Sequence, residues 1–108
     1  MIDAATQALE FSEGRTRHDL ENDPPLKHLL VRNIEIMGEA ASRVSSQLQE
    51  AHPEIPWRRM VSIRNRLVHA YFDIDLDILW HTVRTALPEL LPKLKTLLDS
   101  TEDDNARG

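Results

Sequence analysis

The chain contains no cysteine and only three glycines among its 108 residues. Without cysteine it can form no disulfide, zinc–thiolate site or thiol nucleophile, and a reducing cytoplasm is the expected location. The sequence has no glycine-rich loop of the kind that cradles a phosphate. No apolar run approaches membrane-spanning length, and the first twenty residues are too charged for a signal peptide. These absences predict a soluble cytoplasmic protein with no membrane partner.

Basic side chains are in the minority overall but concentrated in the middle of the chain. Thirteen Lys and Arg face eighteen Asp and Glu, for a formal net charge of -5. This balance argues against a surface that binds nucleic acid everywhere. Between Glu54 and Asp73, however, the sequence has no acid and four arginines, namely Arg58, Arg59, Arg64 and Arg66. We therefore expect any contact with a polyanion to be local, and we predict an acidic disordered tail over residues 100–108.

Apolar residues recur at the three- and four-residue spacing of amphipathic helices, and no strand pattern is visible. The predicted helices cover residues 2–13, 24–50, 57–70 and 75–99. The fold class is all-α, an antiparallel bundle of four to five helices that forms a single domain over residues 1–99. Long apolar seams on the second and last helices exceed what a small bundle easily covers, which favours a homodimer.

Several local signals mark the helix ends. Asp23 is an N-cap followed by proline, Pro53 should end the long helix, and Asp75 should cap the last one. The prolines at 88 and 92 should bend that helix without ending it, because the apolar pattern continues through both. Gly38 lies inside the long helix, where it costs about 1 kcal/mol relative to alanine. Its presence predicts the close approach of another helix.

The stretch from Arg64 to Tyr71 combines an arginine, a histidine and a tyrosine and contains no acid. An arginine can donate two parallel hydrogen bonds to a phosphate, and histidine exchanges protons near neutral pH. On a straight helix Arg64 and His69 would lie roughly 140° apart around the axis. They can meet at one phosphate if the helix loosens near Ala70, or if a second subunit supplies part of the site. Taken singly, each of the three residues has an ordinary structural explanation.

Acidic residues near the motif also have structural explanations. Just after it, three aspartates alternate as they would in a loop for a hard cation, namely Asp73, Asp75 and Asp77. An N-cap is the better explanation for Asp75, and we predict no metal site.

Glu35 and Glu39 share a helical face and look like paired carboxylates for acid–base chemistry. A simpler role is an ion pair with Arg32 or with Arg64.

The pattern R-x-x-x-x-H-x-Y, with Asn65 directly after the arginine, resembles the signature of HEPN domains and specifically of the HepT-like toxins. The small residue before the tyrosine is Ala70, where relatives often have glycine. The resemblance extends, in the same order along the chain, over most of residues 31–92. Its further blocks are residues 32–40, 53–57, 75–76 and 87–90.

The resemblance implies a helical homodimer whose signature helices face each other across a cleft. It implies a metal-independent endoribonuclease without a cofactor, the toxin of a type VII-like toxin–antitoxin system paired with a minimal nucleotidyltransferase. Arg64 and His69 would be catalytic and Asn65 would support them. Tyr71 would be the residue to which the partner attaches AMP, which silences the toxin.

RNA, and not DNA, is then the expected substrate, cut by attack of its 2′-hydroxyl on the adjacent phosphorus. His69 would move protons and Arg64 would stabilise the charge of the transition state, while Asn65 would orient the imidazole or hold the phosphate. Contacts with flanking phosphates are predicted for Arg58, Arg59 and Arg66. The alternative is a non-catalytic helical dimer that binds nucleotide or docks on a nucleotidyltransferase. A scaffold without any ligand would leave the acid-free, arginine-rich segment unexplained.

Overall fold

The computed structural model describes the backbone of residues 1–70 and 73–107 and the side chains of residues 1–67 and 74–99. This part of the chain contains seven α-helices: α1 (Ile2–Ser12), α2 (Arg17–Asn22), α3 (Pro24–Ser42), α4 (Ser46–Ala51), α5 (Trp57–Leu67), α6 (Leu76–His81) and α7 (Leu87–Arg107). Two short antiparallel strands, β1 (Val68–Ala70) and β2 (Asp73–Ile74), lie between α5 and α6. A π-helical turn, Thr82–Ala86, joins α6 to α7. The predicted all-α bundle is confirmed, with a small strand pair that the sequence did not reveal.

The long helix α3 is the centre of the bundle. It packs most extensively against α5 and α1, and α1 in turn contacts α7 and the π turn. Its apolar stripe is buried, as the three- and four-residue spacing predicted. The core is completed by residues from every side of the bundle, including Ala5, Ala8, Leu20, Leu30, Ile34, Met37, Leu67, Leu79, Val83 and Leu87. Among the described residues, no helix is both long enough and apolar enough to cross a membrane.

Capping side chains set the limits of the central helices. The Asp23 carboxylate accepts the backbone N–H of Leu26 at 3.1 Å, as predicted for an N-cap that precedes proline. The predicted single helix over 24–50 is wrong, because α3 ends at Ser42 and α4 begins after a turn. The Ser45 hydroxyl accepts the backbone N–H of Leu48 at 3.1 Å and starts the new helix. A serine that can bond its neighbouring backbone favours such a break over helix continuation.

Helix α2 falls in a polar stretch for which no helix was predicted. Thr16 and Asp19 form a reciprocal capping box around its first turn. The Asp19 carboxylate accepts the Thr16 backbone N–H at 2.7 Å, and this bond is the main reason that the pKa of Asp19 lies below its ordinary value. Leu20 is fully buried and anchors the helix against the core.

The C-terminal helices follow one another without a break, as predicted for a helix that passes through its prolines. The Asp75 carboxylate accepts the backbone N–H of Ile78 at 3.0 Å, which confirms the predicted N-cap. The π turn lies just before Pro88. Because proline clashes with the carbonyl four residues earlier, a widened turn at this point lets the helix continue. The backbone of α7 extends through Arg107, and the disorder of residues 100–108 stays a prediction.

Candidate active site

The motif predicted from the sequence crosses the end of α5. This helix ends at Leu67, three residues earlier than predicted, and the chain continues as β1. After Leu67, β1 pairs with β2, and the Asp75 backbone N–H donates to the Leu67 carbonyl at 3.0 Å. These bonds replace the hydrogen bonds of a further helical turn. Arg64 therefore lies on the last turn of a helix, whereas the backbone of His69 lies in a strand. Because the helix ends before the histidine, the angle of a straight helix does not apply to Arg64 and His69.

Two residues of the motif are described only in part or not at all. The side chain of His69 and the whole of Tyr71 lie outside the described residues. The catalytic role of the histidine and the modification of the tyrosine stay predictions.

The aliphatic part of Arg64 packs directly on the backbone of α3 at Gly38. A Cβ built at Gly38 would lie 2.6 Å from the Cβ and 2.9 Å from the Cδ of Arg64, closer than real Cβ contacts allow. The close helix approach predicted from this glycine is confirmed. Only a residue without a side chain at this position lets the arginine lie where it does.

The Arg64 guanidinium is held by two neighbouring side chains. Its Nη1 donates to Glu39 Oε2 at 2.8 Å, while Nε and Nη2 donate to Asn65 Oδ1 at 3.2 and 3.1 Å. Because a guanidinium has five N–H donors and accepts nothing, these bonds leave one donor on each terminal nitrogen. The side chain is 24% exposed, so it is partly open to a ligand. A fixed cation with two terminal donors is suited to binding a phosphate.

Glu39 bridges two arginines of the same chain. Its other oxygen, Oε1, accepts from the Nε of Arg43 at 3.0 Å, one helical turn further along α3. Of the two ion pairs considered for this glutamate, the one with Arg64 is present. Neither the bridge to Arg43 nor the bond of Asn65 to the guanidinium was anticipated. The spacing of Glu39 and Arg43 was available as a signal, since residues four apart on a helix are neighbours.

The other arginines of α5 do not share the surface of Arg64. Arg59 and Arg66, seven residues apart, line an open groove of about 350 Å³ beside α6 and the π turn, together with Asp77, His81 and Glu89. Arg58 lines a second depression against α4, and Arg59 also borders this depression. All three are exposed, as contacts with RNA would require. Arg59 therefore borders both surfaces, and the contacts of the three arginines with phosphates stay predictions.

The aspartates considered as cation ligands have protein partners where they are described. Asp75 caps α6, and Asp77 Oδ1 accepts from the Nε of Arg17 at 2.5 Å, which raises the pKa of that guanidinium. The side chain of Asp73 lies outside the described part. Within that part, no group of three His, Asp or Glu side chains is arranged to hold a metal ion.

Comparison with known proteins identifies the family of the chain. Residues 1–97 match the family model described as "Ribonuclease HepT-like". The chain is similar to "Probable ribonuclease HepT" of Thermococcus cleftensis, with 36% identity over 89% of this chain and 91% of the relative. A candidate RNase of Caldanaerobacter subterraneus is 33% identical over 83% of this chain and 80% of its own length. A candidate RNase of Methanocaldococcus jannaschii is 31% identical over 83% of both chains. No solved structure matches the chain with significance.

Proposed function

The chain belongs to the HepT-like ribonuclease family, and from this membership we propose that it is a metal-independent endoribonuclease that acts in the cytoplasm. In this proposal it is the toxin of a type VII-like toxin–antitoxin system. Arg64 and His69 are the catalytic residues, and Asn65 supports the arginine. The observation that carries the proposal is the Arg64 guanidinium, which is held at three nitrogens by Glu39 and Asn65 and keeps a free donor on each terminal nitrogen.

The chemistry needs proton transfer and stabilisation of negative charge. The 2′-hydroxyl of the RNA attacks the adjacent phosphorus, its proton passes to the His69 imidazole, and a bond from oxygen to phosphorus forms. The bond from phosphorus to the 5′-oxygen breaks, and that oxygen takes up a proton from an imidazolium. Arg64 stabilises the additional negative charge on the phosphate oxygens. The products carry a 2′,3′-cyclic phosphate and a 5′-hydroxyl.

We further propose that the active form is a homodimer. Leu29 and Ile36, seven residues apart on α3, are each 43% exposed and lie on the same side of that helix. Ile36 and Glu39 line one shallow groove on this side. A second copy docked here would cover the apolar side chains and bring its own site close to Arg64. Such an arrangement agrees with a substrate cleft between subunits.

The first experiment measures cleavage of RNA by the purified protein in the presence of EDTA. We expect cleavage to persist, with cyclic phosphate ends on one product, and to be lost in Arg64→Ala and in His69→Ala. His18→Ala, which changes an exposed histidine of α2, is the matched control and should cut like the wild type. Size-exclusion chromatography with light scattering should give a dimer for all of these proteins. Undiminished cleavage in both active-site variants would refute the assignment.

A nucleotide-binding titration on the same samples addresses the non-catalytic alternative. Binding of nucleotide at Arg64 without any cleavage of RNA would favour a helical dimer that only anchors a phosphate. Cleavage that depends on both Arg64 and His69 would favour the nuclease. The two results exclude each other for this site.

The family resemblance also supports regulation by a minimal nucleotidyltransferase that attaches AMP to Tyr71. Transfer of AMP from ATP to the phenol oxygen would release pyrophosphate and place a bulky anion beside the motif. Intact-mass spectrometry after co-expression should show AMP-sized additions that disappear in Tyr71→Phe. Additions that persist in this variant would place the modification elsewhere.

A further inference from the structure

Glu39 contacts Arg64 on the side of the guanidinium away from Asn65. We propose that Glu39 is a positioning residue, which fixes the orientation of the Arg64 guanidinium without touching the substrate. This inference rests on the proposed function, in which Arg64 binds the scissile phosphate. It adds a residue on α3 to a site that is otherwise formed by the end of α5 and the strand after it.

Because Gly38 and Glu39 are adjacent on α3, one helix contacts both the aliphatic part and the guanidinium of Arg64. Gly38 leaves room for the Cβ, Cγ and Cδ of Arg64, and Glu39 Oε2 accepts from its Nη1 at 2.8 Å. Asn65 Oδ1 accepts from Nε and Nη2 on the other side. A planar group held at three nitrogens by two acceptors cannot turn about its bonds without breaking a contact. The remaining donors on Nη1 and Nη2 therefore keep a fixed direction.

Arg43 holds the carboxylate of Glu39 in turn. Its Nε lies 3.0 Å from Oε1, so the two carboxylate oxygens are directed at two different arginines. Arg43 is 77% exposed and reaches Glu39 from the solvent side, whereas Arg64 is only 24% exposed. This difference in exposure indicates that, of the two ion pairs of Glu39, the one with Arg64 is important for the site. Because Glu39 is itself 52% exposed, neither ion pair should contribute much to the stability of the fold.

Kinetics of RNA cleavage separate positioning from an acid–base role. We expect Glu39→Ala to lower kcat about thirtyfold, with KM changed less than about threefold. Glu39→Gln keeps an oxygen that can accept from Nη1, so kcat should fall less in this variant, by about fivefold. A general base would lose its function equally in both variants, because neither retains a carboxylate, and the acidic limb of the pH profile would disappear. A positioning residue lowers the plateau of that profile and leaves both limbs in place.

Two further variants serve as controls. Arg43→Gln removes the second ion pair of Glu39 but leaves its bond to Arg64, and should keep kcat within about threefold of the wild type. Glu10→Gln makes the same change of charge on an exposed residue of α1 and should have no effect. Thermal denaturation of all variants shows whether any loss reflects unfolding.

Nuclear magnetic resonance of the arginine side chains tests the same inference without RNA. Hindered rotation about the Nε–Cζ bond should give Arg64 separate Nη1 and Nη2 signals, assigned by their loss in Arg64→Lys. In Glu39→Ala we expect this rotation to be at least about fivefold faster. Unchanged rotation, or equal losses of kcat in Glu39→Ala and Glu39→Gln, would overturn the inference. A wild-type protein that cuts no RNA but shows the predicted change in rotation would refute the proposed function and leave the positioning role standing.

Discussion

The two sides of α5 carry arginines in very different settings. On the side that faces α3, Arg64 lies over Gly38 and is bonded to Glu39 and Asn65. On the side that faces α6 and the π turn, Arg59 and Arg66 are exposed along an open groove. A free arginine retains most of its rotamers and attracts phosphate mainly through charge, whereas a fixed one also presents donors in a defined direction. The difference separates a residue suited to catalysis from residues suited to diffuse binding.

The largest expected effect is that of Arg64→Lys, which keeps the charge and removes the planar donors. We expect kcat/KM for RNA cleavage to fall about a hundredfold, comparable to the removal of a donor that stabilises a transition-state oxyanion. Arg66→Lys is the matched control, two residues away on the opposite side of the helix, and should change kcat/KM less than about threefold. Equal decreases in both variants would mean that fixation of Arg64 has no catalytic value.

Next in size is the effect of Gly38→Ala on stability. The added methyl group would overlap the Arg64 side chain, and we expect the free energy of unfolding in urea to fall by about 2 kcal/mol. This decrease should appear although alanine is favoured in a helix by about 1 kcal/mol. In an Arg64→Gly background the overlap is removed, so Gly38→Ala should leave the free energy of unfolding unchanged or raise it. A stabilised single variant would show that the two helices do not approach this closely in solution.

A smaller effect is expected from Asn65→Ala, which removes the oxygen that accepts from two nitrogens of the Arg64 guanidinium. We predict that kcat falls about tenfold while KM changes little, because Glu39 still holds one nitrogen. Ser62→Ala, on the exposed side of α5, is the control and should leave both kcat and KM unchanged. A rise in KM without a change in kcat would instead indicate that Asn65 binds the substrate directly.

The smallest effects should come from the arginines of the open groove. Arg59→Ala and Arg66→Ala should each raise KM about two- to fivefold and leave kcat unchanged. If each arginine binds one phosphate, its removal should lower the slope of log affinity against log salt by about 0.7, the value for single-stranded nucleic acid. Binding titrations at several salt concentrations provide the measurement. An unchanged slope in both variants would show that RNA does not follow this groove.

Several features of the fold were predictable because their causes are local. The N-caps at Asp23 and Asp75 depend on a side chain and a backbone N–H three residues later, and both are present. The short helix α2 was missed although its capping box can be read from Thr16 and Asp19. The break at Ser45 was missed because the apolar spacing continues across it as far as Leu48, and a capping hydroxyl interrupts the helix without changing that spacing.

The candidate site was predictable in its residue types and only partly in its geometry. Gly38 indicated a close contact, and the structure identifies its partner as the side chain of Arg64. Glu39 had two possible arginine partners by sequence, one on its own helix and one distant in the chain. The choice between them depends on how α3 and α5 pack, which no local pattern contains.

The sequence by itself determined an all-α bundle and the positions of its main caps, because these follow from spacing and side-chain type, and it indicated candidate residues for phosphate chemistry. The tertiary structure decided which arginine is fixed and where the motif helix ends. Arg64 is fixed because α3 presents a bare backbone at Gly38 and an acceptor at Glu39 to the same side chain. The helix ends at Leu67 because pairing with residues 73–75 offers its last carbonyl and the following strand other hydrogen-bond partners. Both outcomes depend on contacts between segments that are distant in sequence or separated by a turn.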